Sequence, residues 1–317
     1  MTKKVSWATL TTAVLNVIML IMLYFLNPSM YQIGHLSDFI GNTLPLLFVA
    51  MGQTLVILTS GVDLSVGPLL SFINVVAAST FIHLGLLGVL IALSISVAAG
   101  LLAGITIAYG RLQPIIATLA MSSIWSGAAL FVMPQPGGAV PKWYTLWTSG
   151  FFGPIPINVV WLGVVFLALY LLLNRSPLAG RILALGNNEQ SAFFSGLNPT
   201  RLKIFVYAMS GLLTGIGALF LTSMTGSGDP NIGPSYTLNS IAAVVLGGTS
   251  LMGGKGSIWK TLNGVLLLQL IVQVIFFLGI SSFYQDIVEG SLLILALGIN
   301  RWFKKSGVKK RGIAHVA

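Results

Sequence analysis

Long apolar runs, separated by short groups of Gly, Pro and charged residues, extend along nearly the whole chain. A helix rises 1.5 Å per residue and the hydrocarbon core of a bilayer is about 30 Å thick, so a run of about 20 apolar residues can cross it. The pattern predicts about ten transmembrane helices, at residues 7–25, 41–59, 64–82, 84–109, 114–133, 154–173, 204–224, 237–252, 261–278 and 286–300. We therefore predict an all-α membrane protein, with residues 1–317 forming a single transmembrane domain.

The composition supports this class and excludes others. Hydrophobic residues make up 56% of the chain and charged residues 7%, whereas soluble domains carry about 25% charged residues. The sequence has no Cys, and its three His residues are scattered, so neither disulfides nor a metal site are predicted. The apolar runs also contain no convergent set of acid, base and nucleophile, so we do not expect an enzyme.

The distribution of basic residues predicts the orientation of the chain in the membrane. With ten spans, all of the 16 Lys and Arg residues except Lys142 fall on one side, which the positive-inside rule identifies as cytoplasmic. Both termini are then cytoplasmic. The net charge of +10 reflects this orientation and not nucleic-acid binding, and the basic tail at residues 301–317 is expected to attract anionic membrane lipid.

Two glycine-bounded segments share the pattern Gly-x-x-Leu-x-x-Gly. One runs from Gly61 to Gly67 and the other from Gly248 to Gly254, and each follows a predicted span that runs from outside to inside. One interpretation is a parallel internal repeat with broken or re-entrant helices near the centre, in which the four glycines have structural roles. The alternative is a pair of tight cytoplasmic turns.

Asp63 is an acidic residue within a largely apolar region. An ionisable group near the bilayer points to a role in the translocation pathway, but an Asp at the start of a helix also accepts hydrogen bonds from N–H groups two or three residues later. Both interpretations remain open at this stage. The polar side chains predicted to line the pathway are Gln53, Asp63, Ser65, Ser71, Asn74 and Asn239, and packing between helices is the alternative role for such residues.

The longest cytoplasmic segment, residues 175–203, contains a short capped helix. Asn188 is a favourable N-cap, Glu189 suits the first turn, and Gly196 suits the position just past the end. Ala192, Phe193 and Leu197 are predicted to form an exposed apolar side, which suits docking to another protein, with packing on the membrane surface as the alternative.

A second segment, residues 134–154, lies on the opposite side of the membrane in this topology. Its aromatic residues Trp143, Tyr144 and Trp147 suit either the docking of an extracytoplasmic protein or an interfacial aromatic belt.

Three motifs give the chain a family resemblance that covers nearly its whole length. It resembles the permease subunits of bacterial ABC importers for sugars of the ribose, xylose, arabinose and galactose type. The motifs are Ile-Leu-Thr-Ser-Gly-Val-Asp-Leu-Ser-Val-Gly at 57–67, Ala-Leu-Gly…Glu…Ser-Gly-Leu at 184–197, and Ala-Val-Val-Leu-Gly-Gly-Thr-Ser-Leu-Met-Gly-Gly-Lys-Gly-Ser at 243–257.

The resemblance implies an ATP-driven importer in the bacterial inner membrane, in which the pathway runs between two permease subunits, identical or different. The 184–197 loop would then be the coupling helix that binds the ATPase, through Asn188, Glu189, Ser191, Ala192, Phe193, Phe194 and Gly196. The family pattern has two Ala and a basic residue where this chain has Ser191, Ala192 and Phe193. The aromatic pair at 193–194 therefore suits a dedicated ATPase or one side of a heterodimer.

The chain has no ATP site of its own. A P-loop requires G-x-x-x-x-G-K-[ST], but Thr249 stands at the position of the first glycine and Gly256 follows Lys255. ATP and Mg²⁺ are therefore expected on a separate cytoplasmic ATPase, and a solute-binding protein is expected outside. The alternative function is a proton-coupled secondary transporter that uses Asp63.

Overall fold

A computed structural model describes residues 7–281, 284, 287–288 and 290–291. The predicted tail at 301–317 and most of the predicted span 286–300 lie outside these residues. Within them the chain forms twelve α-helices and one short β-hairpin: α1 Trp7–Leu26, α2 Ile33–Leu58, α3 Val66–Leu84, α4 Leu86–Gly110, α5 Pro114–Val132, α6 Lys142–Ser149, β1 Phe151–Phe152, β2 Ile155–Pro156, α7 Ile157–Asn174, α8 Leu178–Asn187, α9 Glu189–Phe194, α10 Pro199–Thr225, α11 Pro234–Leu246 and α12 Ile258–Phe277.

The chain is an all-α membrane protein. Among the described residues, seven helices are long and apolar enough to cross a bilayer, namely α1, α2, α3, α4, α5, α10 and α12, and α7 contributes a shorter apolar helix. The helix α2 begins at Ile33, eight residues before the predicted start of its span. Polar residues such as His35 and Asp38 interrupt an apolar run but remain compatible with a helix, so hydropathy alone placed the boundary too late.

The predicted span at 237–252 is wrong at its C-terminal end. Helix α11 has 13 residues and ends at Leu246, so its length of about 20 Å is less than the hydrocarbon thickness. Residues 247–257 are not helical, and Gly248, Gly253 and Gly254 have φ values of 89°, 76° and 66°. The left-handed region is unfavourable for residues with a side chain, which explains why glycines end the helix here.

Helix α10 lies at the centre of the bundle, between α4 and α2. Small residues allow this close approach: a Cβ at Gly100 or Gly104 of α4 would overlap the backbone of α10, and a Cβ at Gly52 of α2 would press on Ser210. Close backbone approach through small residues is a usual way for membrane helices to associate. The three helices therefore form a tightly packed framework that holds the shorter elements.

The start of α12 and the end of α2 lie at the same level of the bundle. The hydroxyl oxygens of Thr54 on α2 and Thr261 on α12 are 2.6 Å apart and buried. Helix α5 packs mainly on α3, and α1 packs on α12. The last turn of α2 and the first turn of α12 thus meet at one end of the bundle.

Candidate coupling site and translocation pathway

The short helix α9 is capped at both ends as predicted. The side-chain oxygen of Asn188 accepts a hydrogen bond from the Ser191 N–H at 2.8 Å. Gly196 follows the helix with φ 82°, and the Leu197 N–H returns to the Ala192 carbonyl at 3.1 Å. A six-residue helix is too short to be stable on propensity alone, so these caps fix it in place.

The exposed face of α9 is aromatic. Phe193 is 62% exposed and Phe194 is 83% exposed, and their ring centroids are 5.9 Å apart in an edge arrangement. Ala192 is only 3% exposed, so the prediction that it belongs to the exposed side is wrong. The helical turn directs Ala192 toward the protein, and Phe194 takes its place on the outer face.

The start of α9 is connected to α10 by an ion pair. Lys203 Nζ lies 2.7 Å from Glu189 Oε1, and the Glu189 side chain is more than half exposed. Surface pairs of this kind contribute about 0–1 kcal/mol to stability. An adjacent groove is lined by Arg111 and Leu112 at the end of α4 and by Phe193, Phe194 and Asn198. The region therefore exposes aromatic and charged groups side by side.

Ser60 connects all three sequence motifs at one point, which we call the Ser60 junction. Its hydroxyl lies 2.8 Å from the Gly186 carbonyl and 2.9 Å from the Met252 carbonyl, and its single proton is shared between them. Ser60 has φ 64°, a conformation that is uncommon for a residue with a side chain. The junction thus joins the end of α2 to the end of α8 and to the 247–257 loop.

Gly186 allows the end of α8 to lie against the backbone of the other two segments of the Ser60 junction. A Cβ at this position would overlap the Leu58 carbonyl and the Gly254 nitrogen. The Gly254 N–H donates to the same Leu58 carbonyl at 3.0 Å. Because α9 begins only three residues after Gly186, this short helix is attached closely to both glycine segments.

The connection from α2 to α3 folds back along α2. The side-chain amide of Gln53, with its nitrogen facing the Asp63 carbonyl and its oxygen facing the Asp63 N–H, forms two hydrogen bonds of 3.2 Å. Gln53 precedes the end of α2 by more than one turn, so Asp63 lies well inside the end of that helix. Helix α3 therefore starts within the bundle, as expected for a broken helix.

The connection from α10 to α11 also enters the bundle, along α3. The Asp229 N–H donates to Asn74 Oδ1 at 2.7 Å, and the Gly233 N–H donates to Ser71 Oγ at 2.8 Å. A Cβ at Gly67 would overlap Thr237 and the Gly233 carbonyl. Helices α3 and α11 thus begin in close contact, with their non-helical connections buried in protein.

Five of the six residues predicted to line the pathway are buried within the chain. Asp63 Oδ1 accepts hydrogen bonds from the Ser65 N–H at 2.9 Å and the Ser65 hydroxyl at 2.6 Å, which is the local contact expected at the start of a helix. Asn74 Nδ2 donates to Thr222 at 2.8 Å. The side chains of Gln53, Ser71 and Asn74 each connect two parts of this chain. Asn239 is half-buried at the surface of α11.

An apolar cluster connects the two Gly-x-x-Leu-x-x-Gly segments. Val62 and Leu64 of the first segment and Leu251 of the second pack against Ile241 and Val245 of α11. Thr118 of α5 fixes the first segment, because the Leu64 N–H donates to its hydroxyl at 3.0 Å. The matching leucines of the two segments therefore meet in one half-buried apolar group, which we call the leucine cluster.

The predicted outer segment forms α6 and the β-hairpin. Tyr144 is buried and its hydroxyl donates to the Leu219 carbonyl at 3.0 Å. Trp143 and Trp147 remain exposed, and the Trp147 carbonyl accepts from the Trp161 indole at 2.7 Å. Tyr144 therefore fixes α6 on α10, and the two tryptophans form the exposed part of this face.

Sequence reasoning did not single out Ser60, Gly186, Gly233 or Thr237, although the first two lie within the motifs. A serine beside a glycine and a lone glycine at a helix end carry no signal of a distant partner. Ser60 contacts Gly186 at a separation of 126 positions, and Thr237 contacts Gly67 at a separation of 170 positions. Contacts between residues so far apart leave no local pattern in the sequence.

A bundle of long apolar helices whose connections enter the bundle is typical of a multi-pass membrane protein. A family model described as "Branched-chain amino acid transport system / permease component" matches residues 35–297. The chain belongs to this family, which confirms the predicted class and the inner-membrane location.

Several characterised proteins are similar over most of their length. The chain is 40% identical to the ribose import permease protein RbsC of Escherichia coli (strain K12), covering 86% of this chain and 87% of that protein. It is 35% identical to RbsC of Bacillus subtilis (strain 168), covering 91% of each. It is 33% identical to the L-arabinose ABC transporter permease protein AraH of Azospirillum brasilense, covering 78% of this chain and 74% of that protein. No solved structure matches the chain.

Proposed function

We propose that this chain is the translocation subunit of an ATP-binding-cassette importer that brings a monosaccharide into the cytoplasm. The observation that carries the proposal is the direct connection between α9, with its exposed Phe193 and Phe194, and both glycine segments through the Ser60 junction. A large exposed aromatic pair on a capped helix is typical of a docking element. The relatives named above import ribose or transport L-arabinose by their printed names.

The mechanism begins at the docking helix. Partner ATPases that bind Phe193 and Phe194 would move α9 when they close on ATP and Mg²⁺. The Ser60 junction would carry this displacement to Val62 and Leu64 on one side and to Leu251 on the other. These residues form the leucine cluster, so the cluster would act as an apolar gate at the cytoplasmic end of the path.

The arrangement of helices supports the predicted topology. Helices α2 and α11 each lead into a glycine segment, and the two segments meet at the leucine cluster. Two helices that run in the same direction into matching turns are expected from a parallel internal repeat. About ten spans with both termini inside would place α9, Arg111 and Lys203 on the cytoplasmic side, where basic residues are favoured.

The pathway would form between two copies of the permease or between two different permeases. A solute-binding protein would deliver the sugar to the opposite face, where Trp143 and Trp147 are exposed. ATP would be hydrolysed by the separate subunit, because the sequence lacks a P-loop.

The test is a reconstitution of the chain in liposomes with its ATPase and its binding protein. Uptake of labelled D-ribose, L-arabinose and D-allose is measured with and without ATP, for the wild type and for a Phe193→Ala, Phe194→Ala double variant. Phe25→Ala is the matched control, because Phe25 is 78% exposed at the end of α1, far along the chain from α9.

We expect ATP-dependent uptake of at least one sugar by the wild type and by the control. The double variant should bind the ATPase at least about tenfold more weakly, since exposed aromatic anchors typically contribute more than 1 kcal/mol to an interface. Sugar uptake without ATP would refute the proposal, and undiminished ATPase binding by the double variant would refute the docking assignment.

A further inference from the structure

A second groove lies beside the turn that connects α9 to α10, and we call it the arginine groove. It has a volume of about 370 Å³ and is bounded by α8, by residues 196–198 and by the first turns of α10. Its charged and apolar lining residues are Leu178, Arg181, Leu197, Arg201, Leu202 and Phe205. Phe193 and Phe194 line the neighbouring groove and not this one.

Each of the two helices contributes an arginine and an apolar residue on the same face. Leu178 and Arg181 are three positions apart on α8, and Arg201 and Phe205 are four positions apart on α10. Both arginines are exposed, whereas Leu178 and Phe205 are half-buried and pack against the main core of the bundle. The arginine groove therefore has a charged rim and an apolar base.

The two arginines have no anionic partner within the part of the chain that the structure describes. Neither guanidinium forms an ion pair or a hydrogen bond there, and no acidic residue lines the groove. Glu189, the acidic residue of α9, is already paired with Lys203. A guanidinium stays charged at any pH at which the protein is folded. The groove thus presents two permanent positive charges to an anionic group.

The groove lies at the end of a helix that is longer than a bilayer core. Helix α10 has 27 residues, a length of about 40 Å, so roughly two turns exceed the hydrocarbon thickness of about 30 Å. Arg201 and Lys203 in its first turns are unfavourable in hydrocarbon, and the apolar run begins at Ile204. The predicted orientation places this end at the cytoplasmic headgroup level, where anionic lipids are attracted to basic residues.

We propose that the arginine groove binds one anionic phospholipid. Its phosphate would contact Arg181 and Arg201, and an acyl chain would pack along Leu202 and Phe205. Guanidinium groups match phosphate oxygens through paired hydrogen bonds, and basic pockets between membrane helices on the cytoplasmic side suit lipid head groups. An acidic side chain of another protein would match the arginines but would leave the apolar base of the groove uncovered.

A lipid in this position would contact the turn that holds α9. Asn198 in the wall of the groove accepts a hydrogen bond from the Arg201 N–H at 3.0 Å, and the Leu197 N–H donates to the Ala192 carbonyl of α9 at 3.1 Å. The lipid would therefore hold α9 in a fixed position relative to the membrane. A resulting increase in ATPase affinity rests on the proposed function, whereas the binding of the lipid does not.

The experiment titrates the purified full chain in a neutral detergent with phosphatidylglycerol, or with phosphatidylcholine of the same acyl chains. Native mass spectrometry counts the lipids bound per chain, and the thermal midpoint is measured in parallel. The variants are Arg181→Gln, Arg201→Gln and the double variant. Arg175→Gln is the matched control, because Arg175 is an exposed arginine at the end of α7 that does not line the groove.

We expect the wild type and Arg175→Gln to bind one phosphatidylglycerol at least about tenfold more tightly than phosphatidylcholine. Each groove variant should bind phosphatidylglycerol about fivefold more weakly, the scale of one basic residue next to an anionic lipid. Phosphatidylglycerol should raise the thermal midpoint of the wild type and have little effect on the double variant. Without lipid the midpoints should be equal, because both side chains are exposed.

Three results would overturn the proposal. Equal affinity of the wild type for the two lipids would show that the arginines do not select an anionic head group. Displacement of phosphatidylglycerol by millimolar inorganic phosphate would show that a free anion fills the groove. Unchanged lipid binding by the double variant, with weaker ATPase binding in lipid-free detergent, would assign the arginines to the ATPase. None of these results depends on sugar uptake, so failure of the import function is detected separately.

Discussion

Ser60 and Gly186 are 126 positions apart in sequence, and the Ser60 hydroxyl meets the Gly186 carbonyl at 2.8 Å. Gly186 lies two residues before Asn188, which caps α9, the proposed docking helix, and Ser60 lies two residues before Val62 in the leucine cluster. This hydrogen bond therefore connects the proposed docking surface to the proposed gate.

Replacing Ser60 by Ala should weaken the coupling between ATP hydrolysis and transport. The change removes a shared hydrogen bond with a net value of about 1 kcal/mol, which corresponds to roughly a fivefold change in an equilibrium. We expect the number of ATP molecules hydrolysed per sugar transported to rise in the reconstituted complex. Thr59→Ala is the control, because the Thr59 hydroxyl donates to Val56 within its own helix. An unchanged ratio in Ser60→Ala would show that the junction is only structural.

Gly186→Ala should destabilise the protein. A Cβ at this position would overlap the Leu58 carbonyl and the Gly254 nitrogen, and forced overpacking typically costs about 1–3 kcal/mol. Gly180→Ala on the same helix is the matched control, because a Cβ there has open space around it. The thermal midpoint of the purified protein in detergent should fall for Gly186→Ala and remain constant or rise for Gly180→Ala. Equal midpoints would mean that the backbone separates easily at the Ser60 junction.

The fold was predictable from sequence where one local pattern determines the structure. Apolar runs predicted the long helices, and Asn188 with Gly196 predicted both ends of α9, because a cap needs only neighbouring residues. The contacts of the interior residues could not be predicted from such local patterns. Asn74 contacts Thr222, 148 positions away, and Ala192 faces inward because of packing that no local pattern records. The partners of these residues are fixed by tertiary contacts, so sequence alone left their roles open.

Asn188→Ala should weaken ATPase binding without a large effect on the stability of the whole protein. The lost N-cap bond has a value of about 1 kcal/mol, and α9 has only six residues to hold it together. We expect roughly a fivefold weaker affinity for the ATPase, measured by surface-immobilised binding in detergent. Asn188→Asp preserves the acceptor oxygen and should retain the affinity of the wild type. Weak binding by Asn188→Asp as well would mean that the amide contacts the partner directly.

Ser71→Ala should destabilise the contact between α3 and α11. The Gly233 N–H would lose its acceptor while remaining buried, which costs about 1–3 kcal/mol. Ser79→Ala on the same helix removes a hydroxyl that bonds only within α3, to the Val75 carbonyl at 2.8 Å. We expect a lower thermal midpoint for Ser71→Ala than for Ser79→Ala. The reverse order would show that water or a rearranged backbone satisfies Gly233.

Asp63→Asn separates the proposed importer from a proton-coupled transporter. An Asn at this position keeps an oxygen that accepts from the Ser65 N–H and hydroxyl, so the start of α3 should be preserved. The neutral acceptor forms a weaker hydrogen bond than a carboxylate, so ATP-driven uptake should fall by no more than about threefold. Uptake is measured in liposomes with the ATPase, first with a proton gradient and then after its dissipation.

A proton carrier at Asp63 predicts the opposite result. Asp63→Asn would then abolish uptake, because an amide cannot release and rebind the proton, and dissipation of the gradient would stop uptake by the wild type. Asp38→Asn is the control, since Asp38 is an exposed acid near the start of α2. Because Asp63 Oδ1 already accepts two hydrogen bonds from Ser65, we expect its role to be the positioning of α3, with ATP and not the proton gradient driving transport.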